Sequence, residues 1–362
     1  SSRLSQATFT RCGKATEDRL LILVGTAPFL AAAMVLKTKL TEALGIKHPV
    51  IQGGMHYVGY AELAAAVSNA GGLGIITALT VAQPPKGKEA LREEIRKCKK
   101  LTDKPFGVNI TLLPVGVPPD YPGIIQVVVE EGVKIVETAG RNPEQVIKAL
   151  KQHGIFVIHK CVAVRHAQTA ARMGADFISM DGFDCGGHPG EEDVGNWVLL
   201  AQAAQELKVP FVASGGSATG AQLAAALALG AEGLNMGTRF MATKEAPIHD
   251  KIKEAIVQAK ITDTTHIFRS LNNTERVYKN AMAATVRKIE AEKPGDFGAI
   301  AKYVSGENYR KSFQETGDTQ SSVWSCGQSI GLIKDVPSCQ ELLDRVVGEA
   351  EDIIRNRLQS KL

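Results

Sequence analysis

The stretch VASGGSATGAQLAAALALGAEGLNMGTRF, residues 212–240, decides the fold. It contains two short apolar strands, each followed by a glycine turn, with an alanine-rich helix between them. The turns are Ser214-Gly215-Gly216 and Met236-Gly237-Thr238. Glycine lets the backbone turn sharply and approach another group closely. Two such turns at matching places in successive strand–helix units indicate a site held between them.

The same unit repeats from residue 49 onward, as a short apolar run, a turn and a helical stretch. Strands that are apolar on both faces are typical of buried parallel sheets. Eight such units predict an α/β fold, a (β/α)8 TIM barrel. A doubly wound sheet is the alternative, but it requires GxGxxG after the first strand, where none occurs. The predicted strands are Val50–Gly53, Leu73–Thr77, Phe106–Leu112, Ile135–Ala139, Phe156–Cys161, Phe177–Asp181, Phe211–Ser214 and Gly233–Met236.

The pattern divides the chain into three parts. We expect residues 37–247 and 314–362 to form the barrel. Residues 248–313 are richer in charge and show no strand alternation, which predicts a helical insertion domain near the barrel mouth. Residues 1–36 form an N-terminal extension, either a targeting segment built on the uncharged run 20–36 or extra sequence translated upstream of a natural start at Met34. We expect the second.

Composition excludes several classes of function. A net charge of +4 over 362 residues, without a dense basic block, argues against nucleic acid as a partner. Six scattered cysteines are typical of reduced thiols in the cytoplasm rather than of a disulfide framework. Cys185 and His188 lack further metal ligands nearby in sequence, so we expect no metal. We also expect no stable membrane insertion.

Barrel active sites lie at the carboxyl ends of the strands, which directs attention to a few side chains. Lys160 ends an apolar strand and is expected to project into the mouth. Three roles are open there: binding a ligand anion, an ion pair with Asp181, or a Schiff base. His188, in the loop CGGHPGEED, is a candidate for proton transfer or for loop packing. The turns after strands seven and eight occupy the place where barrels often bind phosphate. The fourth strand ends in Glu137-Thr138-Ala139-Gly140, which is expected among the polar groups at the same mouth but has no individual role assigned.

A set of motifs points to one family. The motifs are PVIQGGM, FGVNITLLP, VIHKC, DGFDCGGHPGEED, VASGG, NMGTRF and the later GDTQSSVWSCGQSIGLI. In this order and spacing, over residues 37–358, the chain resembles the nitronate monooxygenase (2-nitropropane dioxygenase) superfamily of FMN-dependent barrels. Within it, the sequence is most similar to the FMN-dependent NADH:quinone reductase branch.

The resemblance implies non-covalent FMN and assigns residues to it. Its phosphate would lie against Ser214, Gly215, Gly216, Gly237 and Thr238. Its ring would contact Gly53, Gly54 and Met55, and its polar edge and ribityl chain would bond to Asn109, Thr111 and Lys160. Gly186 and Gly187 would approach it closely, and Asp181 and Met236 complete the set. A proline loop would gate substrate entry through Pro114, Pro118 and Tyr121.

The same resemblance implies an activity. We expect two-electron NADH:quinone reduction by a ping-pong cycle, with NADH as the reductant and Lys160 and His188 in the chemistry. His188 is followed by Pro189-Gly190, whereas the nitronate-oxidising class has Arg-Gly there. The alternatives are a nitronate monooxygenase that uses O2 on substrates such as propionate 3-nitronate, an enoyl-thioester reductase, a sugar-phosphate aldolase and a scaffold without cofactor. Partners are expected to be small molecules, and the protein a monomer or homodimer.

Overall fold

Eight parallel strands form a single sheet in the computed structural model, which describes residues 36–82, 86–112 and 119–361. The strand order is β1-β8-β7-β6-β5-β4-β3-β2, and a parallel bridge between Ile51 and Leu73 joins the two ends into a barrel. The predicted TIM barrel is therefore confirmed, with every strand bound within one residue of its prediction. The strands are β1 (Val50–Gln52), β2 (Gly74–Thr77), β3 (Phe106–Leu112), β4 (Ile135–Gly140), β5 (Phe156–Cys161), β6 (Phe177–Asp181), β7 (Phe211–Ser214) and β8 (Leu234–Met236).

Helices surround the barrel, and one of them closes its lower end. Several of them begin at side-chain caps, as at Thr219 and Ser338, where the cap hydroxyl accepts a hydrogen bond from the backbone two or three residues later. The helices are α1 (Lys39–Leu44), α2 (Ala61–Asn69), α3 (Ala78–Val81), α4 (Gly87–Leu101), α5 (Tyr121–Glu130), α6 (Glu144–Lys151), α7 (Val164–Met173), α8 (Asn196–Glu206), α9 (Gly220–Ala228), α10 (Thr238–Met241), α11 (Asp250–Gln258), α12 (Ala281–Glu292), α13 (Phe297–Ile300), α14 (Gly306–Arg310) and α15 (Cys339–Asp352).

The barrel interior is layered because side chains alternate along each strand. Its lower layer is apolar and fully packed, and helix α1 closes it from below with Leu40 and Leu44. Two residues further along the same strands, the inward positions become polar. The apolar layer contains Ile51, Leu73, Ile75, Ile135, Ile158, Phe177 and Val212. The polar positions above it include Thr77, Asn109, Glu137, Lys160, Ser179, Ser214 and Asn235. Any ligand in the barrel must therefore enter from the carboxyl end of the strands.

Residues 248–313 contain more than the predicted helices. Helices α11, α12 and α13 are present, but an antiparallel hairpin lies between the first two, formed by β9 (Thr264–Ile267) and β10 (Glu275–Tyr278). Helix α12 begins only after this hairpin, at Ala281, so the insertion is not purely helical as predicted. Each hairpin strand has four residues and few apolar side chains, so alternation gave no signal. The boundaries of the insertion domain remain a proposal.

The last helix, α15, returns to the barrel wall and packs on α9. A side chain at Gly220 would collide with the backbone of Val346, and the Gly220 N–H donates to Glu349 Oε2 at 2.7 Å. Within the described ranges, no helix is long and apolar enough to cross a membrane. The predicted N-terminal extension lies outside the described residues, apart from Leu36.

Candidate active site at the barrel mouth

One large cavity opens at the carboxyl ends of the strands, with a volume of about 1530 Å³. The residues around it include all sixteen that were predicted to bind the cofactor or take part in the chemistry. The individual roles of these residues stay predictions. Of the predicted gate, Tyr121 lies instead at a groove between α5 and α6, where its hydroxyl donates to the Thr111 carbonyl at 3.1 Å. Pro114 and Pro118 lie outside the described residues. The sixteen are Gly53, Gly54, Met55, Asn109, Thr111, Lys160, Asp181, Gly186, Gly187, His188, Ser214, Gly215, Gly216, Met236, Gly237 and Thr238.

The turn after β7 has the backbone of an anion cradle. Gly215 and Gly216 both adopt positive φ, +81° and +69°, a conformation that favours glycine. Among the described residues, the Gly216 N–H and, after β8, the Gly237 N–H donate no hydrogen bond. Thr238 Oγ1 accepts from the Gly327 N–H at 2.9 Å, so its own hydroxyl hydrogen stays available. The two turns thus offer several donors that the protein itself does not use.

The turn after β1 is different, because its amides are already engaged. The Gly54 N–H donates to Glu137 Oε2 at 3.0 Å, and the Met55 N–H donates to Thr77 Oγ1 at 2.9 Å. A side chain at Gly54 would collide with Asn109. These residues can therefore offer a ligand a close, flat surface but no hydrogen bonds from these two amides.

Lys160 lies between two carboxylates at the top of β5. Its Nζ is 4.0 Å from Glu137 Oε1 and 3.9 Å from Asp181 Oδ2, and the side chain is only 19% exposed. Both distances exceed hydrogen-bond length, and in the described part of the chain Nζ donates to no acceptor. Burial acts to lower the pKa of Lys160, but the attraction of Glu137 and Asp181 outweighs it and the net shift is upward. Lys160 is therefore a charged donor with unused hydrogens at the cavity. The structure supports the ion pair with Asp181 that the sequence left open.

Asp181 and Cys185 complete the charged side of the cavity. Burial raises the pKa of Asp181, against the opposing attraction of Lys160, and its Oδ1 has no hydrogen-bond partner in the described chain. Burial also raises the pKa of Cys185, so this thiol stays protonated at neutral pH. An unpartnered buried oxygen is costly in a closed protein interior. Asp181 Oδ1 is therefore a second group at this cavity with unused hydrogen-bonding capacity.

The loop that carries His188 is fixed by the β9–β10 hairpin. Gly187 and Arg276 exchange two backbone hydrogen bonds, of 3.1 and 2.7 Å. Asn273 Nδ2 lies 3.3 Å from His188 Nε2, and an amide NH2 can only donate, so Nε2 accepts and the neutral ring carries its proton on Nδ1. Thr274 binds Glu191 through its N–H at 2.7 Å and its hydroxyl at 2.5 Å. The insertion therefore determines where His188 stands.

Gly186 has a reason to be glycine that does not involve a ligand. A side chain there would lie 2.6 Å from the backbone carbonyl carbon of Cys326 and 2.7 Å from the Gly327 nitrogen. The segment that follows the insertion packs directly on the His188 loop, with Gln328 N–H donating to the Asp184 carbonyl at 2.9 Å. Close packing by the protein thus accounts for the small residue.

Sequence reasoning missed the roles of three residues of this site. Glu137 is fully buried and contacts four groups, although the sequence assigned it no role. Asn235 donates through Nδ2 to Glu137 Oε1 at 2.8 Å and to Ser179 Oγ at 3.1 Å. Asn273 comes from the insertion. A carboxylate inside the apolar strand IVETAG was the one available signal. Within the described residues, no group of three or more His, Cys, Asp or Glu could hold a metal ion.

Comparisons with known proteins agree with this architecture. Residues 37–349 match the family model described as nitronate monooxygenase. The chain is 34% identical to a (3aS,4S,5R,7aS)-5-hydroxy-7a-methyl-1-oxo-octahydro-1H-indene-4-carboxyl-CoA dehydrogenase of Rhodococcus jostii, over 87% of this chain and 96% of that protein. It is 30% identical to a probable nitronate monooxygenase of Staphylococcus saprophyticus, over 89% of this chain and 99% of that protein.

A solved structure is similar over nearly the whole chain. FabK from Thermotoga maritima has a TM-score of 0.82 and 35% sequence identity, and the match covers 90% of this chain and all of that one. These relatives are oxidoreductases, and the match extends through the barrel, the insertion and the segment that follows it. The chain belongs to the nitronate monooxygenase family and is an oxidoreductase.

Proposed function

We propose that this protein uses non-covalent FMN to interconvert saturated and α,β-unsaturated acyl thioesters, with NADH as the reductant. The observation that carries the proposal is the extent of the cavity. It runs from the glycine turns past His188 to Arg141 and Arg165 at the rim, and its 1530 Å³ exceed the roughly 300–1,000 Å³ of a typical small-molecule site. An acyl thioester beside a flavin would reach more of these walls than a small quinone or nitronate would. The relative from Rhodococcus jostii, named a carboxyl-CoA dehydrogenase, supports a thioester.

The family is flavin-dependent, and the residues present fit FMN. The unused N–H groups of Gly216 and Gly237 suit a phosphate, since backbone amides at such turns bind anions. Lys160 offers a positive charge and free donors to the polar edge of a ring. Met55 and Gly54 present a surface against which a flat ring can pack. When bound, FMN supplies two-electron chemistry as an acceptor or donor of a hydride equivalent.

The protein's own residues would complete the reaction. Reduction of the double bond places a hydride on Cβ and a proton on Cα, and the reverse reaction removes both. His188 lines the cavity and can hold or deliver the proton at Cα, with Asn273 fixing its tautomer. Lys160 stabilises negative charge that accumulates on the cofactor. The hairpin, through Asn273 and Thr274, forms part of the cavity wall.

NADH:quinone reduction is the second candidate. It is favoured by His188-Pro189-Gly190, because the resemblance associates His-Arg-Gly with nitronate oxidation. Nitronate monooxygenase activity is the third, supported by the name of the relative from Staphylococcus saprophyticus. A cytoplasmic location belongs to the proposal as well, since widely scattered cysteines are typical of a reducing compartment. A monomeric or homodimeric state is also proposed.

An anaerobic experiment separates the three. The FMN-loaded protein is bleached with NADH, and crotonyl-CoA, benzoquinone or propionate 3-nitronate is then added while flavin absorbance is followed. The proposal expects rapid recovery of the absorbance with crotonyl-CoA, and a slower recovery in His188→Gln with unchanged bleaching by NADH. Recovery with benzoquinone alone would establish the second candidate. Failure of NADH to bleach the flavin, with bleaching by the nitronate, would establish the third.

A further inference from the structure

Glu137 is the most highly connected polar side chain at the cavity. It is fully buried, and both of its carboxylate oxygens are engaged. Oε2 accepts from the Gly54 N–H at 3.0 Å and from Asn109 Nδ2 at 2.7 Å. Oε1 accepts from Asn235 Nδ2 at 2.8 Å and lies 4.0 Å from Lys160 Nζ. Its partners come from β3, β5, β8 and the turn after β1, so one side chain links four sides of the barrel.

The donor set explains why this position holds a carboxylate. All four partners are N–H groups, and an ionised carboxylate accepts at both oxygens, whereas a glutamine would turn its own NH2 toward at least one of them. Burying a charge costs several kcal/mol unless it is paired and hydrogen-bonded. Lys160 supplies the opposite charge, and Asn109, Asn235 and Gly54 supply the hydrogen bonds. The charge on Glu137 is therefore tied to the charge on Lys160.

The geometry leaves Lys160 and Asn109 oriented but not saturated. At 4.0 Å, Glu137 attracts the ammonium without taking a hydrogen bond from it, and Asp181 does the same from the other side at 3.9 Å. Asn109 is fixed at both ends, since Nδ2 donates to Glu137 and Oδ1 accepts from Thr111 Oγ1 at 2.8 Å. Among the residues that the structure describes, its second Nδ2 hydrogen meets no acceptor. Both side chains therefore keep donors for a ligand.

We propose that Glu137 is the positioning residue that restrains the charge of Lys160 and orients Asn109 at the bound flavin, and that it thereby sets the flavin reduction potential. This inference rests on the FMN site of the proposed function but not on the thioester substrate. With Glu137 present, part of the field of Lys160 ends on the carboxylate rather than on the cofactor. Removing the charge of Glu137 leaves more positive potential at the ring, which stabilises the negative charge of the two-electron-reduced cofactor.

The test is a double-mutant cycle with Glu137→Gln and Lys160→Met, read by spectroelectrochemical titration of bound FMN. Glu137→Gln is expected to raise the midpoint potential, and Lys160→Met to lower it. In the Lys160→Met background, Glu137→Gln is expected to have a smaller effect, because the part of the shift that acts through the position of Lys160 is then lost. Thr138→Val is the matched control: it removes a buried hydroxyl from the next position on β4, where Thr138 contacts His159 and not Lys160. It is expected to leave the potential unchanged.

A second readout does not need the cofactor. In urea unfolding of the FMN-free variants, the two substitutions are expected to be non-additive, with the double variant losing less stability than the sum of the single losses. Additive losses of stability would overturn the proposal and leave Glu137 a structural residue. The same conclusion would follow if Glu137→Gln did not shift the potential, or shifted it equally with and without Lys160. Failure of the wild-type protein to bind FMN would instead refute the proposed function. If the protein binds FMN but does not turn over thioesters, the double-mutant cycle still tests the role of Glu137.

Discussion

The anion cradle after β7 can be tested with a substitution whose cost is worked out from the backbone. Gly216 has φ +69°, and a Cβ there would lie 2.8 Å from the Cβ of Asp184. Asp184 cannot move away easily, since its Oδ2 accepts from the Asn196 N–H and its carbonyl accepts from the Gln328 N–H. Gly216→Ala therefore combines backbone strain with a steric clash.

Each part of the cost has a magnitude. Alanine in the left-handed region costs about 1–2 kcal/mol, and overpacking a fixed neighbour adds about 1–3 kcal/mol. A Gly216 amide pushed away from a bound phosphate loses a hydrogen bond to a charged group, which contributes about 1.5–3 kcal/mol. The Kd for FMN should then rise by roughly tenfold to a hundredfold, since each 1.4 kcal/mol is a factor of ten.

Gly132 provides a matched control on the far side of the structure. It follows helix α5 with φ +64°, and a Cβ there would meet nothing within 4 Å. Gly132→Ala should lower the free energy of unfolding by the backbone strain alone and leave the FMN Kd unchanged. Urea unfolding and fluorescence titration of the FMN-free protein measure the two quantities. A Gly216→Ala Kd within twofold of wild type, or an equal rise in Gly132→Ala, would refute the assignment of the cradle.

Three further predictions concern side chains around the cavity. Asn273→Ala should reduce kcat on the order of tenfold and change the pH profile of kcat, because His188 loses the partner that orients it. The flavin potential and the FMN affinity should stay unchanged. Steady-state kinetics across pH test this, with Asn272→Gly as the control. Burial lowers the pKa of His159 from 6.5 to about 4, so the unfolded state binds more protons between these values. Stability is then fully present above pH 6.5 and falls by up to about 3 kcal/mol as the pH drops toward 4, a fall that urea unfolding should find reduced in His159→Gln. Thiol titration of the native protein at pH 8 should leave five buried cysteines unmodified and label all five after denaturation. Rapid labelling of any of them in the native protein would contradict its burial. The five are Cys98, Cys161, Cys185, Cys326 and Cys339.

The barrel could be predicted from sequence because its signals are local. Each strand is a short apolar run bounded by a turn, and the two glycine turns mark where β7 and β8 end. The hairpin β9–β10 could not be predicted in this way. Its strands are short and polar, and it is held by contacts that are distant in sequence, such as the backbone pairing of Arg276 with Gly187.

The candidate site shows the same division. Glycines and Lys160 could be placed at the mouth because position on a strand decides which end a residue occupies. The role of Glu137 depended on which donors surround it, and these come from residues 54, 109, 160 and 235. Strand register brings them together, with Asn109 directly opposite Glu137 on the neighbouring strand. No pattern along β4 alone contains that information.

The layering of the barrel indicates where substrate choice must arise. The polar ring formed by Asn109, Glu137, Lys160 and Asn235 is internally hydrogen-bonded or charge-paired, and its apolar floor is fully packed, so neither layer can change without cost to the fold. A cofactor common to the family suits such a fixed ring. Selectivity between a thioester, a quinone and a nitronate must therefore come from the remaining walls, which are loops and the insertion hairpin. Exchange of the hairpin tip, residues 268–274, with that of a relative should change the substrate preference while the flavin potential stays the same. If the flavin potential changed with the hairpin tip, the hairpin would instead act on the cofactor together with the polar ring.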